Sequence, residues 1–183
     1  MRKTTLMVSL LFTLQNVWAQ TGASTNRDAR REDWQKYSAQ IAAFKTIARS
    51  KYSDEQARQK SGDCPKAMTT YDIEMCLGAE LEKTGGNYKG YTDALRSIEA
   101  LQTPDETSAP GPTGTALTST ERTKEFDSVE SAWQAYQKAQ CAAAYDAYKG
   151  GTIAPVMQVT CELRLFRDHM TELESIYAVT ENR

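Results

Sequence analysis

Apolar residues return in steps of three and four along most of this chain, and nowhere do they alternate convincingly with polar ones. A period near 3.6 lines one face of a helix, whereas a half-buried strand needs a period of two. The pattern therefore predicts an all-α fold. Trp34, Tyr37, Ile41, Phe44 and Ala48 mark the inner face of a first helix over about Arg27 to Lys51. Ser53, with Gln56 three positions on, reads as a capping box that opens a short further turn, ended by Ser61-Gly62. A second helix opens near Thr70, with the seam Ile73, Leu77, Leu81, Thr84, Tyr88, Tyr91, Leu95 and Ile98. Gly85-Gly86 interrupts it, each glycine costing about 1 kcal/mol inside a helix. The apolar phase survives the pair, which favours one long helix over two. A third helix opens near Ser119 with Thr120 as its N-cap and turns Phe126, Val129, Trp133, Tyr136, Ala143 and Ala147 inward. Gly150 suits its stop and Pro155 the first turn of a fourth helix. The fourth seam is Val156, Val159, Leu163, Phe166, Met170, Leu173 and Tyr177. The expected architecture is a bundle of about four helices ending in an antiparallel hairpin.

The first residues set the compartment. Arg2 and Lys3 precede a mostly apolar run from Leu6 to Leu14, and Val17-Trp18-Ala19 places small residues where a signal peptidase cuts. Residues 1–19 read as a signal peptide, too short in its apolar part to span a bilayer. The mature chain is then expected to be periplasmic or secreted, without a membrane anchor. It keeps 20 basic against 24 acidic side chains, a net charge of about −4. No basic patch points to nucleic acid.

In an oxidising compartment, Cys64, Cys76, Cys141 and Cys161 read as two disulfides, for which three pairings exist. Cys141 lies nine positions before Gly150 and Cys161 ten after Gly151. In an antiparallel hairpin they sit at similar heights, roughly 9–12 Å from the turn at 1.5 Å per residue. Ala142 to Ala144 let the helices approach to disulfide distance. That pairing leaves Cys64 for Cys76; cross-pairing between the halves remains the alternative. Neither pair has the spacing of a catalytic dithiol or a zinc site. His169 adds at most one more ligand, so no metal and no cofactor is expected.

The segment from Thr103 to Thr118 carries three prolines, two glycines and no aromatic residue, and reads as a flexible loop. The organisation expected is a leader over 1–19, an N-terminal helical extension over 20–62, and a helical domain over 63–180 containing the loop 103–118.

Trp133, Tyr136, Cys141, the run Gly150-Gly151-Thr152-Ile153-Ala154-Pro155, Cys161, Leu165 and Glu172-Leu173 form a pattern, joined upstream by Asp63-Cys64-Pro65-Lys66-Ala67, Thr69-Thr70, Glu74 and Cys76. It resembles the LprI-type lysozyme-inhibitor domain family of exported bacterial helical domains, over about Asp63 to Tyr177. The chain departs from the family at Phe166, at His169 and around Thr84 to Tyr88, departures that favour a specialised target if those positions contact a partner. The resemblance implies a binding protein that blocks a lysozyme-like muramidase or other cell-wall hydrolase. Two readings stand beside it: a periplasmic immunity protein against a cell-wall-degrading toxin, and a non-catalytic envelope-associated module.

The residues themselves offer no catalytic set. Asp72 and Glu74, or Glu172 and Glu174, are two apart on a helix and point to different faces. His169 has no readable base, nucleophile or metal partner and reads as structural, and Ser175 has no nucleophile elbow. Trp133 and Tyr136 read as core more readily than as a sugar-stacking platform. Tyr145, Tyr148, Lys149, Gly150, Gly151 and Thr152 form the candidate partner-binding tip of the hairpin. The glycines are explained by the turn alone, and a stapled protruding tip also suits an inhibitor.

Overall fold

The computed structural model describes residues 11–106 and 117–179, with side chains from Arg27 onward. The first ten residues of the expected leader and positions 107–116 of the expected loop lie outside the described residues. Four helices follow in order: α1 (Leu11–Ser61), α2 (Thr70–Ala100), α3 (Ser119–Asp146) and α4 (Ala154–Tyr177). Among the described residues there is no strand.

α1 packs on α2, α2 on α4, and α3 on both α2 and α4. Leu77 of α2 and Leu163 of α4 line one cleft, and Tyr91 of α2 donates to Glu174 of α4 at 3.1 Å. Both helices therefore advance in the same direction. The starts of α2 and α4 meet the ends of α1 and α3 at one end of the bundle. Tyr88, Tyr91, Ala94 and Leu95 of α2 meet Met170 and Leu173 of α4 in the core, joined by Ala48 of α1, Phe126 of α3 and Val179. α2 stays continuous through Gly85 and Gly86, and its observed seam follows the apolar phase that the sequence displays.

Two helix starts are fixed by reciprocal side-chain bonds. Thr69 accepts from the Asp72 N–H at 3.1 Å while the Asp72 carboxylate accepts from the Thr69 N–H at 3.2 Å. α3 has the same device at Thr118 and Glu121, not at Thr120 as the sequence suggested. The S/T-x-x-E spacing begins two residues earlier, and Glu106 adds bonds to the Ser119 N–H and hydroxyl at 2.6 and 2.7 Å. Thr118→Ala is expected to cost about 1 kcal/mol, lowering Tm by roughly 2–4 °C, against little change for Thr120→Ala. Paired thermal melts check this.

α1 also departs from expectation. It does not restart at Ser53 but runs unbroken to Ser61, where Gly62 turns left-handed at φ +78°. Tertiary packing overrides the local capping signal: Ala48 and Glu55 are buried and Tyr52 packs on Tyr91, all on one continuing face. The expected face of α3 needs a similar correction. Val129 and Tyr136 are 57% and 54% exposed, and Ala143 and Ala147 are also exposed. The buried line runs through Phe126, Glu130 and Cys141, with Trp133 half-buried beside it.

Candidate partner-binding site

The structure joins Cys141 to Cys161 and Cys64 to Cys76, with Cα separations of 5.5 and 5.9 Å. The first bond ties α3 to α4 just below the hairpin turn. Cys141, Cys161 and Leu165 form a small apolar cluster under it, flanked by Trp133 and Ala144.

Above the cluster the chain closes a run of turns on itself. The Tyr148 N–H donates to the Tyr145 carbonyl at 3.1 Å, Lys149 to Asp146 at 3.2 Å, Gly151 to Tyr148 at 3.0 Å, and Ala154 to Gly151 at 3.2 Å. Gly150 sits at φ +90°, a conformation that side chains oppose. Pro155 lies in the first turn of α4, where its missing N–H costs nothing. All six residues of the sequence-derived tip therefore come together in one hydrogen-bonded reversal. Tyr145 is half-buried; Tyr148, Lys149, Gly150, Gly151 and Thr152 face solvent. The Lys149 ammonium lies 3.7 Å from the Asp146 carboxylate, both exposed, so the pair constrains the lysine little.

The tip stands on two charged networks inside the bundle that sequence reading missed. Glu55, only 2% exposed, accepts from Arg167 Nε at 2.8 Å, Thr84 Oγ1 at 2.8 Å and Asn87 Nδ2 at 3.0 Å. The Arg167 fork then grips Asp63 through both terminal nitrogens, at 2.6 and 2.8 Å. Arg58 bridges Glu55, at 3.3 Å, to Glu80. One cluster thus locks α1, α2, α4 and the segment entering the Cys64–Cys76 clip. Burial pushes the Glu55 carboxyl up, but the bonds from Arg167, Asn87 and Thr84 outweigh it and hold the group below its ordinary value. Asp63 is held low chiefly by its bond from Arg167.

The second network centres on His169. Its Nε2 lies 2.8 Å from Glu130, which also accepts from the Tyr88 hydroxyl. Its Nδ1 lies 3.3 Å from Glu172. The ring stacks on Trp133 at 4.2 Å and 8°. Burial drives the Tyr88 phenol far above its ordinary range, with Glu130 adding to the effect, so it remains a donor. Trp133 is thus a support for the histidine, and Tyr136 lies outside the core. Phe166, His169, Thr84 and Tyr88, where the family resemblance weakens, pack together or against these networks in the interior. Thr84, Tyr88 and His169 are buried, and Phe166 is half-buried.

Among the described residues no buried side-chain nitrogen or oxygen lacks a partner. The networks spend their bonding capacity on holding helices together. No group of three or more His, Cys, Asp and Glu is arranged to hold a metal, and no helix is long and apolar enough to cross a membrane, again among the described residues.

The described residues thus form a disulfide-clipped helical bundle with a hydrogen-bonded tip and paired interior charges. The family model for lysozyme inhibitor LprI matches residues 61–173, more than half of the chain, and the chain belongs to that family. No protein with a curated description and no solved structure matches it.

Proposed function

We propose that this chain is an exported inhibitor of a lysozyme-like peptidoglycan hydrolase, which it binds with the hairpin tip so as to cover the active-site cleft. It performs no reaction itself. Family membership carries this reading. The tip's self-closed turns and the Cys141–Cys161 bond support it, because a preformed loop surrenders little entropy on binding. Lys149 supports it too. A glycosidase cleft holds a pair of carboxyl groups, and a cation presented on a rigid tip complements them. The leader-like start of the sequence supports delivery to the periplasm or beyond, where such hydrolases act.

Pull-down from periplasm with the oxidised mature protein, followed by muramidase assays, tests the proposal. Lys149→Glu and Thr152→Asp are each expected to weaken inhibition at least about tenfold, near 1.4 kcal/mol, with Tm unchanged. Both positions are exposed and touch no core group, so loss of inhibition with loss of folding is not expected. Full inhibition by both variants removes the tip from the interface.

A further inference from the structure

The three residues Met68, Tyr71 and Met75 are 89%, 69% and 60% exposed. Tyr71 and Met75 are four apart on α2 and so share one face of its first turns. Met68 precedes the cap Thr69, where a large apolar side chain ordinarily folds back on the fourth helical residue, here Ile73. Its exposure shows that it does not. Large apolar groups left in water side by side on a stable bundle mark a contact surface. This one is rigid, because the Cys64–Cys76 bond ties the loop to α2 and the Thr69–Asp72 bonds fix the helix start.

The surface lies at the same end of the bundle as the hairpin tip, since α2 and α4 run parallel and both begin there. The two loops also carry like chemistry. Lys66 is exposed beside Met68 and makes no ion pair among the described residues; Lys149 is exposed beside Tyr148. Each clip thus presents one exposed lysine near an exposed apolar side chain, Lys149 with Asp146 3.7 Å away. We infer that Lys66, Met68, Tyr71 and Met75 form the second prong of the contact surface, seated on the rim of the same hydrolase cleft that receives the tip. The inference rests on the proposed function. Two cations at one end match a cleft holding two carboxyl groups, and apolar side chains around them exclude water and strengthen the attraction.

The test uses the oxidised full mature chain against a panel of one purified animal lysozyme and one secreted bacterial muramidase. Four proteins are compared: wild type, Tyr71→Ser/Met75→Glu, Lys149→Glu, and Ile176→Ser, which alters an exposed apolar residue at the far end of α4. The α2 double variant is expected to raise the half-inhibitory concentration about tenfold or more, as Lys149→Glu does, with an unchanged melting curve, while Ile176→Ser matches wild type. If wild type inhibits and the double variant inhibits equally, the second prong is wrong and the proposed function stands. If wild type inhibits neither enzyme, the function fails and takes the prong with it. If light scattering finds a wild-type dimer that the double variant makes monomeric, a second copy of this chain occupies the surface and the inference is overturned.

Discussion

Arg167→Ala is expected to cost about 3–5 kcal/mol of stability, because it strips the counter-charge from a carboxylate that cannot reach water. Glu55 is 2% exposed, and Arg167 supplies both its closest cation and the bidentate grip on Asp63. Thr84, Asn87 and Arg58 still donate to Glu55 in the variant, which keeps the loss from growing further. Glu55→Ala leaves the guanidinium with Asp63 alone and is expected to cost somewhat less. The double variant should lose less than the sum of the singles, as contacting residues do.

The acid limb carries a second signature. Glu55 and Asp63 both titrate below their ordinary values of 4.5 and 3.8 in the folded chain. A lowered folded value means that the charged form is favoured by folding. Its contribution is complete above the unfolded values and is lost as pH falls through the folded ones. The stability gap between wild type and Arg167→Ala should therefore be full at pH 6 and narrow below about pH 4. Urea unfolding of both proteins from pH 7 to pH 3 measures it. A gap that keeps its size down to pH 3 would refute the ion-pair account of this cluster.

Cys141→Ser/Cys161→Ser is expected to remove roughly 3 kcal/mol, following loop closure over a sequence separation of 20. The companion bond, with a separation of 12, should contribute about half a kcal/mol less. The larger consequence is local. Without the bond, the tip rests on local turn hydrogen bonds between mostly exposed residues, and such segments open first. Amide exchange at Tyr148, Lys149 and Gly151 should quicken by an order of magnitude or more, while Tyr91 and Leu95 in the core respond only to the global loss. Inhibition should weaken in step with tip exchange. An unaltered tip exchange pattern in the serine variant would show that the turns hold themselves.

How much of this was legible in the sequence depends on what occupied the seam. α2 could be read almost residue by residue because its inward positions, from Leu77 to Leu95, are mostly apolar or aromatic. The hairpin and its cross-link were legible from glycine, proline and cysteine spacing, since each of those residues has a narrow structural use. The sequence ends α1 at Lys51 because Ser53 and Gln56 imitate a capping box, and the inward face that overrides it, Tyr52 and then Glu55, includes a charge that no apolar count scores. On α3 the sequence places Phe126 and Trp133 correctly but misses the site between them for the same reason: Glu130 occupies it, and Val129 beside it imitates one. Arg167 and His169 hid in α4 likewise. A charged residue at a seam position looks like surface until the partner on another helix is known, and a single sequence does not name that partner. One signal was available: Glu55 and Glu130 both fall at steps of three and four from the seams they complete.

In the proposed function, this small cross-linked bundle works by occupying another protein's cleft, with no chemistry of its own. The most direct measurement is a titration of a purified lysozyme-like muramidase, at fixed peptidoglycan, with the oxidised mature chain. Hydrolysis is expected to fall to zero near one equivalent of inhibitor, with the inhibitor recovered intact and no turnover when the enzyme is omitted. Hydrolysis that persists at excess inhibitor across a panel of muramidases, or peptidoglycan breakdown by the chain alone, would contradict it.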